Sequence, residues 1–206
     1  MVGWYATLSP LLLPRVLDEL RTRHPELELT AMEDFGDDLW AGLDAGTLDV
    51  VLAYELMVPD RFETEQVCEV RPQVLLPAGH GLAAQPVVSL SDLAAEPAVV
   101  FDVPHSHAYH AALLREAGAQ PRVARTSKNL ETVRSLVARG EGYTIAITPL
   151  MDARSSEGLP IAVRPIGGDI PTTNLVIAHA SSGVGPREIA FLEACRTVAA
   201  EVFPIG

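Results

Sequence analysis

The chain has 206 residues, 48% hydrophobic and 20% charged, which is enough for one large domain or for two lobes that each have a core. Its 27 acidic and 15 basic side chains give a formal net charge of −12, which disfavours direct, non-specific binding of nucleic acid by these residues. The composition excludes a disordered chain, and no apolar run approaches the roughly 18 residues of a membrane-spanning helix.

The first part of the chain alternates strand-like and helix-like segments. Ser9 followed by Pro10 predicts a helix start with Ser9 as the N-cap, and the pre-proline His24 predicts the end of that helix. In order, the predicted segments are a strand at 2–7, a helix at 12–24, a strand at 27–32, a second helix that ends near Gly46 and a buried strand at 50–53. This order favours a parallel sheet with helices on its faces.

The pattern changes at residues 62–77, where two strand-like runs follow each other without a helix, as expected where a chain crosses between lobes. The alternation then resumes. The further predicted segments are short or long helices at 91–95, 106–117, 130–139 and 186–203, and strands at 98–101, 122–126, 143–148, 161–166 and 175–178. The last helix shows one apolar stripe, made of Ile189, Phe191, Leu192, Cys195 and Val198.

These segments predict an α/β fold with two Rossmann-like lobes joined by crossing strands. We expect lobe I to comprise residues 1–73 and 176–206, and lobe II residues 74–175. The start of the sequence lacks the features of a secretory signal, so we expect a cytoplasmic protein with no membrane association. Cys68 and Cys195 lie among apolar neighbours without metal or redox spacing, and we interpret them as buried thiols.

Motifs for catalysis and cofactors are missing from the sequence. It has no G-x-S-x-G elbow and no phosphate loop, and the G-x-G at Gly140 follows a helix instead of a strand. His105, His107 and His110 form H-x-H-x-x-H, but no acidic or thiol ligand has matching spacing, so a role in anion binding or in a polar loop is preferred over a metal site. We therefore expect no cofactor, no metal and no enzymatic activity.

Polar residues follow several predicted strands and precede helices, which is where open α/β sheets bind ligands. Such positions suit a carboxylate or another small anion, because helix N-termini offer free N–H groups and a positive dipole end. Each of these residues is alternatively a simple helix cap. The candidates are Thr7, Leu8 and Ser9 after the first strand, Ser106 and His107 at the start of the helix 106–117, Asn129 before the next helix, and Thr148.

Several stretches resemble the effector-binding domain of LysR-type transcriptional regulators, and the match extends over nearly the whole chain. The stretches are GWYATLSPLLLP (3–14), RTRHPELELTAMED (21–34), LDAGTLDVVLAY (43–54), LPAGHGLA (76–83) and SLVARGEGYTIAITP (135–149). The family's winged helix-turn-helix is absent from this sequence. Two departures concern the ligand site: Gly36 stands where many members have Ser or Thr, and Trp4-Tyr5 makes the first strand bulkier than usual.

The resemblance implies a type II periplasmic-binding-protein fold that binds a small-molecule effector between its lobes, with Gly36 among the site residues. It also implies a homodimer formed through the lobe I helix 12–24 and strand 27–32, higher oligomers of the full-length protein, and DNA contact only through the missing N-terminal domain. A solute-binding protein of a transporter and an α/β enzyme on a similar bilobed scaffold are the alternatives.

Overall fold

The computed structural model describes residues 1–103, 106–116, 118, 122–150, 152–180 and 183–203, without the side chains of His107 and Glu116. The chain divides into two compact units. Unit 1 comprises Met1–Val70 and Thr173–Gly206, and unit 2 comprises Arg71–Thr172. The lobe boundaries expected from the sequence are 73/74 and 175/176, and each lies three residues after the corresponding unit boundary. The division into these two lobes stays a prediction.

The elements of the described residues, numbered in chain order, are as follows. The strands are β1 (Val2–Tyr5), β2 (Ala31–Asp34), β3 (Val50–Tyr54), β4 (Glu63–Val70), β5 (Gln73–Pro77), β6 (Val88–Ser89), β7 (Ala98–Phe101), β8 (Val123–Ser127), β9 (Thr144–Ala146), β10 (Ile161–Gly167) and β11 (Thr173–His179). The α-helices are α1 (Ser9–Arg23), α2 (Asp37–Asp44), α3 (Ser106–Glu116), α4 (Leu130–Ala138) and α5 (Pro186–Val202). Short 3-10 helices lie at Glu55–Met57, Gly81–Ala84 and Leu90–Leu93.

Unit 1 contains a five-stranded mixed sheet in the order β2-β1-β3-β11-β4. Strands β1, β2 and β3 are parallel, as the sequence predicts, while β11 runs antiparallel to both β3 and β4. Every residue of β1 and β3 is buried, as in sheets covered on both faces. The core includes Trp4, which is fully buried and contacts Phe191 of α5 edge-on with ring centroids 5.7 Å apart.

Two details of unit 1 differ from the prediction. The strand expected at residues 27–32 begins only at Ala31, because β1 starts at Val2 and offers no partner to residues before Thr30. Ile189, expected on the buried stripe of the last helix, is 42% exposed. The buried face of α5 runs through Phe191, Cys195 and Val198, and Ile189 lies outside that face.

A β-bulge in β4 is stabilised by an arginine from α5. Leu175 pairs with Cys68 and the next residue, Val176, pairs with Gln66, so Val67 is the extra residue. The side chain of Arg196 donates from Nε (2.9 Å) and Nη2 (2.6 Å) to the carbonyl oxygen of Gln66. The Gln66 carbonyl at the bulge therefore has a charged hydrogen-bond donor as its partner.

Unit 2 contains a four-stranded sheet in the order β6-β10-β5-β9 and the parallel pair β7-β8. Tyr143, just before β9, links the two sheets. Its N–H donates to the Pro97 carbonyl (2.9 Å), and its carbonyl accepts from the Val99 N–H (2.7 Å). The core is built from side chains of these strands and of α3, including Val74, Leu76, Val100, Leu113 and Ile145. Together the units confirm the predicted α/β class.

None of the helices in the described ranges is both long enough and apolar enough to cross a membrane.

Gly142 is required at its position by both backbone conformation and space. Its φ is +148°, and a Cβ there would lie 2.2 Å from the carbonyl oxygen of Pro97, which already accepts from Tyr143. We expect Gly142→Ala to lower the free energy of unfolding by about 2–4 kcal/mol, measured by urea denaturation.

The matched control is Gly140→Ala, because Gly140 has a φ of +88° but nothing within 4 Å of an added Cβ. This control isolates backbone strain, which we expect to cost about 1–2 kcal/mol. Equal losses in the two variants would show that the collision with Pro97 is relieved by a small shift.

Candidate ligand-binding site

The carboxyl end of β1 presents two hydroxyl groups that have no hydrogen-bond partner. Thr7 is half-buried and Ser9 is 3% exposed, and neither Thr7 Oγ1 nor Ser9 Oγ is hydrogen-bonded. The predicted N-cap role of Ser9 is wrong: α1 begins at Ser9, the cap residue is Leu8, and no side chain caps this helix. Unpaired buried hydroxyls are uncommon in native proteins, so both groups are candidates to meet a ligand.

Leu8 was expected to contact a ligand as well. Its side chain is fully buried in the core of unit 1. Its N–H donates to the Tyr5 carbonyl (2.8 Å), and its own carbonyl accepts from Leu11 and Leu12. The residue therefore anchors the turn between β1 and α1, and a direct contact with a ligand stays a prediction that this packing does not favour.

Three aromatic side chains at the carboxyl ends of β1, β2 and β3 contact each other through Tyr5. The Tyr5 ring meets Phe35 and Tyr54 edge-on, with centroid distances of 5.7 and 5.8 Å. The Tyr5 hydroxyl has no hydrogen-bond partner, and burial together with the neighbouring Tyr54 raises its pKa. Sequence reasoning treated Tyr5 only as a bulky strand residue, although its position at the end of β1 was a usable signal.

Gly36 precedes α2 as its N-cap, with an extended backbone. Its N–H donates to Oδ1 of Asp34 (3.1 Å), which also accepts from the Phe35 N–H (2.6 Å). The Asp34 carboxylate thus accepts from both backbone N–H groups that directly follow β2. This arrangement gives Gly36 a structural role, and its expected contact with a ligand stays a prediction without support from its hydrogen bonds.

The end of β3 carries an acidic group that sequence reasoning missed. Glu55 is exposed, and its Oε2 accepts from Nδ2 of Asn174 (2.7 Å). The Oδ1 of Asn174 in turn accepts from Nε2 of Gln66 (2.9 Å). Gln66 and Asn174 are 108 positions apart in the chain, and Glu55 and Asn174 are 119 positions apart. No local sequence pattern therefore indicates these contacts.

In unit 2, three predicted site residues follow strands. Ser106 is buried and is the first residue of α3. Asn129 is the N-cap of α4, as predicted, and its Oδ1 accepts from the N–H groups of Glu131 (2.9 Å) and Thr132 (3.1 Å). Thr148 is half-buried, two residues after β9.

Strand pairing brings the unit 2 residues toward one sheet edge. Strands β7 and β8 are parallel, and a parallel bridge joins Ala98 to Tyr143 just before β9. The residues that follow these strands therefore emerge at the same edge. Asn129 uses its Oδ1 as a cap, so its Nδ2 group is the part that remains to serve a ligand.

The predicted histidine cluster is only partly described. His110 is buried within α3, whereas His105 and the side chain of His107 lie outside the described residues. Within the described part of the chain, no group of three His, Cys, Asp or Glu side chains has the arrangement of a metal site.

Both cysteines are free. Cys195 is buried, as predicted, whereas Cys68 in β4 is only half-buried. Burial raises the pKa of the Cys68 thiol to about 11 and raises that of Cys195 well above its ordinary value. Both sulfurs are therefore protonated and weakly reactive at neutral pH.

Comparison with known proteins identifies the family of the chain. Residues 2–200 match the model of the LysR substrate binding domain. The fold is similar to the crystal structure of the C-terminal domain of a probable LysR family transcriptional regulator from Rhodococcus sp. RHA1. That similarity has a TM-score of 0.88 and 34% identity over 94% of this chain and 96% of the other.

Two curated relatives show how much of such a protein this chain represents. The HTH-type transcriptional regulator TtuA of Agrobacterium vitis is 32% identical over 65% of this chain and 45% of its own length. The hydrogen peroxide-inducible genes activator of Escherichia coli O6:H1 is 29% identical over 70% of this chain and 48% of its own length. This chain therefore spans about half the length of these relatives.

The family consists of regulators and not of enzymes, in agreement with the prediction made from the sequence. The family match, the α/β architecture and the fold similarity agree with each other. The chain belongs to the LysR substrate-binding domain family, the effector-binding regulatory part of LysR-type transcriptional regulators.

Proposed function

We propose that this domain binds a small effector bearing a negative charge and passes the binding event to a DNA-binding domain outside these residues, in the cytoplasm. The observation that carries the proposal is the pair of unpartnered hydroxyls of Thr7 and Ser9 at the carboxyl end of β1. An anionic oxygen of the effector accepts from these hydroxyls and lies near the positive end of α1.

The proposal includes further contacts from unit 2, by Ser106, His107, Asn129 and Thr148. This part rests on the family resemblance and on their positions after β7, β8 and β9, and the predicted location of the effector between two lobes stays a prediction. The regulatory mechanism is a population shift, because an effector changes the output only if it binds one arrangement of the protein better than another.

A response to hydrogen peroxide is the alternative that the name of the relative from Escherichia coli suggests, and the groups of this chain that peroxide oxidises most readily are the cysteine thiols. The structure gives this alternative no support, because burial raises the pKa of the Cys68 thiol to about 11 and raises that of the buried Cys195 thiol well above its ordinary value. The thiolate is the reactive form of cysteine, so a raised pKa lowers its reactivity. We therefore favour reversible binding of a small molecule.

We also propose that the domain pairs with a second copy through α1 and β2, as the family resemblance implies. Among the described strands, β2 is an edge of the unit 1 sheet and pairs with β1. The half-buried side chains of Leu13 and Leu17 on α1 and of Met32 on β2 supply apolar surface for an isologous contact.

Removal of the Ser9 hydroxyl tests the proposed site. We expect Ser9→Ala to weaken binding of an effector found by metabolite screening by about 10- to 100-fold, measured by calorimetric titration. Because Ser9 Oγ is buried without a partner, the same change leaves the free energy of unfolding unchanged or raises it by about 1 kcal/mol.

The matched control is Thr22→Ala, which removes another α1 hydroxyl, one that donates to the Asp18 carbonyl (2.9 Å). Ser106→Ala is the corresponding test in unit 2. Full affinity in both serine variants would disprove the assigned site and leave the family membership untouched.

The cysteine reactivity distinguishes the two proposed modes of sensing. Burial raises the pKa of the Cys68 thiol to about 11, so at pH 7.5 only a small fraction is thiolate and we expect Ellman's reagent to label the folded chain very slowly. Labelling of Cys68 rises with pH beyond 9, where an ordinary thiol already levels off. The Cys68→Ser variant identifies the labelled residue, and fast labelling at pH 7.5 would favour the peroxide alternative.

Sedimentation velocity tests the proposed pairing. We expect a concentration-dependent dimer for the parent chain and a shift toward monomer for Leu13→Lys, because the change places a charge in the apolar contact. Ile189→Lys, which alters an exposed side chain of α5, is the control. A parent chain that stays monomeric at high concentration would contradict this part of the proposal.

A further inference from the structure

A hairpin at residues 152–160 of unit 2 lies against α4, and we call it the α4 clasp. It is closed by hydrogen bonds from the Ser155 N–H to the Leu159 carbonyl (2.9 Å) and from the Gly158 N–H to the Ser155 carbonyl (2.8 Å). Among the described residues 152–160, Ser155 is buried and all the others are exposed or half-buried. The α4 clasp therefore adds little apolar surface to the core of unit 2.

Two charged side chains of α4 connect the helix to the clasp. Nη2 of Arg134 donates to the carbonyl oxygens of Asp152 (2.8 Å) and Arg154, and its Nη1 donates to Oε2 of Glu131 (2.7 Å). Oε1 of Glu131 accepts from the Ser156 N–H (2.5 Å). Residues three apart lie on one face of a helix, so both side chains reach the clasp together. Because one partner in each bond is charged, these bonds are stronger than neutral ones.

A second ion pair joins the tip of the clasp to the residue after α4. Nε of Arg139 donates to Oε1 of Glu157 (3.3 Å). These two side chains are 59% and 40% exposed, so water screens their attraction, whereas the side chain of Arg134 is 20% exposed. Arg134 is therefore the main attachment of the clasp.

The closed clasp also contains buried polar atoms that gain nothing from closure. Nε of Arg134 and Oγ of Ser155 are both buried without a hydrogen-bond partner. Each has lost its hydration, which offsets part of the stabilisation that the charged hydrogen bonds supply. A segment with few buried apolar contacts opens at a lower free energy than the whole fold does.

We propose that the α4 clasp opens and closes as a unit while the rest of unit 2 stays folded, and that closure regulates the unit 2 side of the proposed effector site. Asn129 caps α4 through the N–H groups of Glu131 and Thr132, and Glu131 is held by the closed clasp. Thr148 lies just before the clasp in the chain. The regulatory part rests on the proposed function, whereas the opening itself does not.

Closure therefore acts on the first turn of α4, which Asn129 begins. An effector that contacts Asn129 binds the closed clasp better than the open one and shifts the population toward the closed state. Glu131 and Arg134 act through Asn129 and are positioning residues.

Trypsin digestion of the 206-residue chain tests the opening without any ligand. Arg154 lies in the clasp, and cleavage between Arg154 and Ser155 requires the hairpin to open. We expect this cleavage in native buffer, at a rate that rises only weakly with urea below the unfolding transition, because local opening exposes little surface. Mass spectrometry identifies the cut. Cleavage at Arg154 that has the urea dependence of global unfolding would overturn the proposed opening.

The variant Arg134→Met keeps an apolar stem but removes both bonds to the clasp carbonyls. We expect cleavage at Arg154 to become about 10- to 100-fold faster, because the rate follows the population of the open clasp. The matched control is Arg139→Met, which removes the exposed ion pair and changes the rate by less than about threefold. An unchanged rate in Arg134→Met contradicts the role of Arg134.

Hydrogen exchange tests the connection to the site. We expect the amides of Glu131 and Thr132, which Asn129 caps, to exchange about 10-fold faster in Arg134→Met than in the parent chain or in Arg139→Met. Unchanged exchange at these amides would overturn the regulatory part of the inference. Failure of the proposed function has a different signature, which is full effector affinity in Ser9→Ala and Ser106→Ala.

Discussion

Strand β11 holds unit 1 together, because it is hydrogen-bonded to β3 on one side and to β4 on the other. The chain supplies this strand only after passing through all of unit 2. Leu175, Val176, Ile177 and Ala178 of β11 are at most 1% exposed, so the strand also fills the centre of the core. Unit 1 therefore becomes complete only when segments about a hundred residues apart have met, which carries a loop-closure cost that local segments do not.

The same strand orients a polar group at the end of β3. Asn174 lies at the start of β11, and its amide connects Gln66 on β4 with Glu55 after β3. The direction of the Glu55 carboxylate thus depends on the sheet order β3-β11-β4.

The carboxyl end of β1 also carries groups that stability alone does not explain. The hydroxyls of Tyr5 and Ser9 are buried without hydrogen-bond partners, an arrangement that costs roughly 1–3 kcal/mol for each group. Proteins keep such costs at functional positions when a ligand or ordered water satisfies the groups.

The sequence alone was sufficient for features that depend on neighbouring residues. Helical periodicity located α1, α4 and α5 within a few residues, and Asn129 was recognised as the residue that begins α4, because capping and periodicity act within one or two turns of the chain. The family motifs likewise indicated the two-unit α/β architecture and the strand ends at which Thr7 and Ser9 lie. Even locally, the start of α1 was placed incorrectly, since Leu8 packs into the core and displaces Ser9 from the cap position.

Only the tertiary structure decided which distant groups meet. It set the antiparallel position of β11, the late start of β2 at Ala31, and the contact of Arg196 with the carbonyl freed by the bulge in β4. It also joined Glu55 to Asn174 across 119 positions of the chain. The physical reason is that these hydrogen bonds depend on strand order and register, which the packing of the whole core determines and which no short segment encodes.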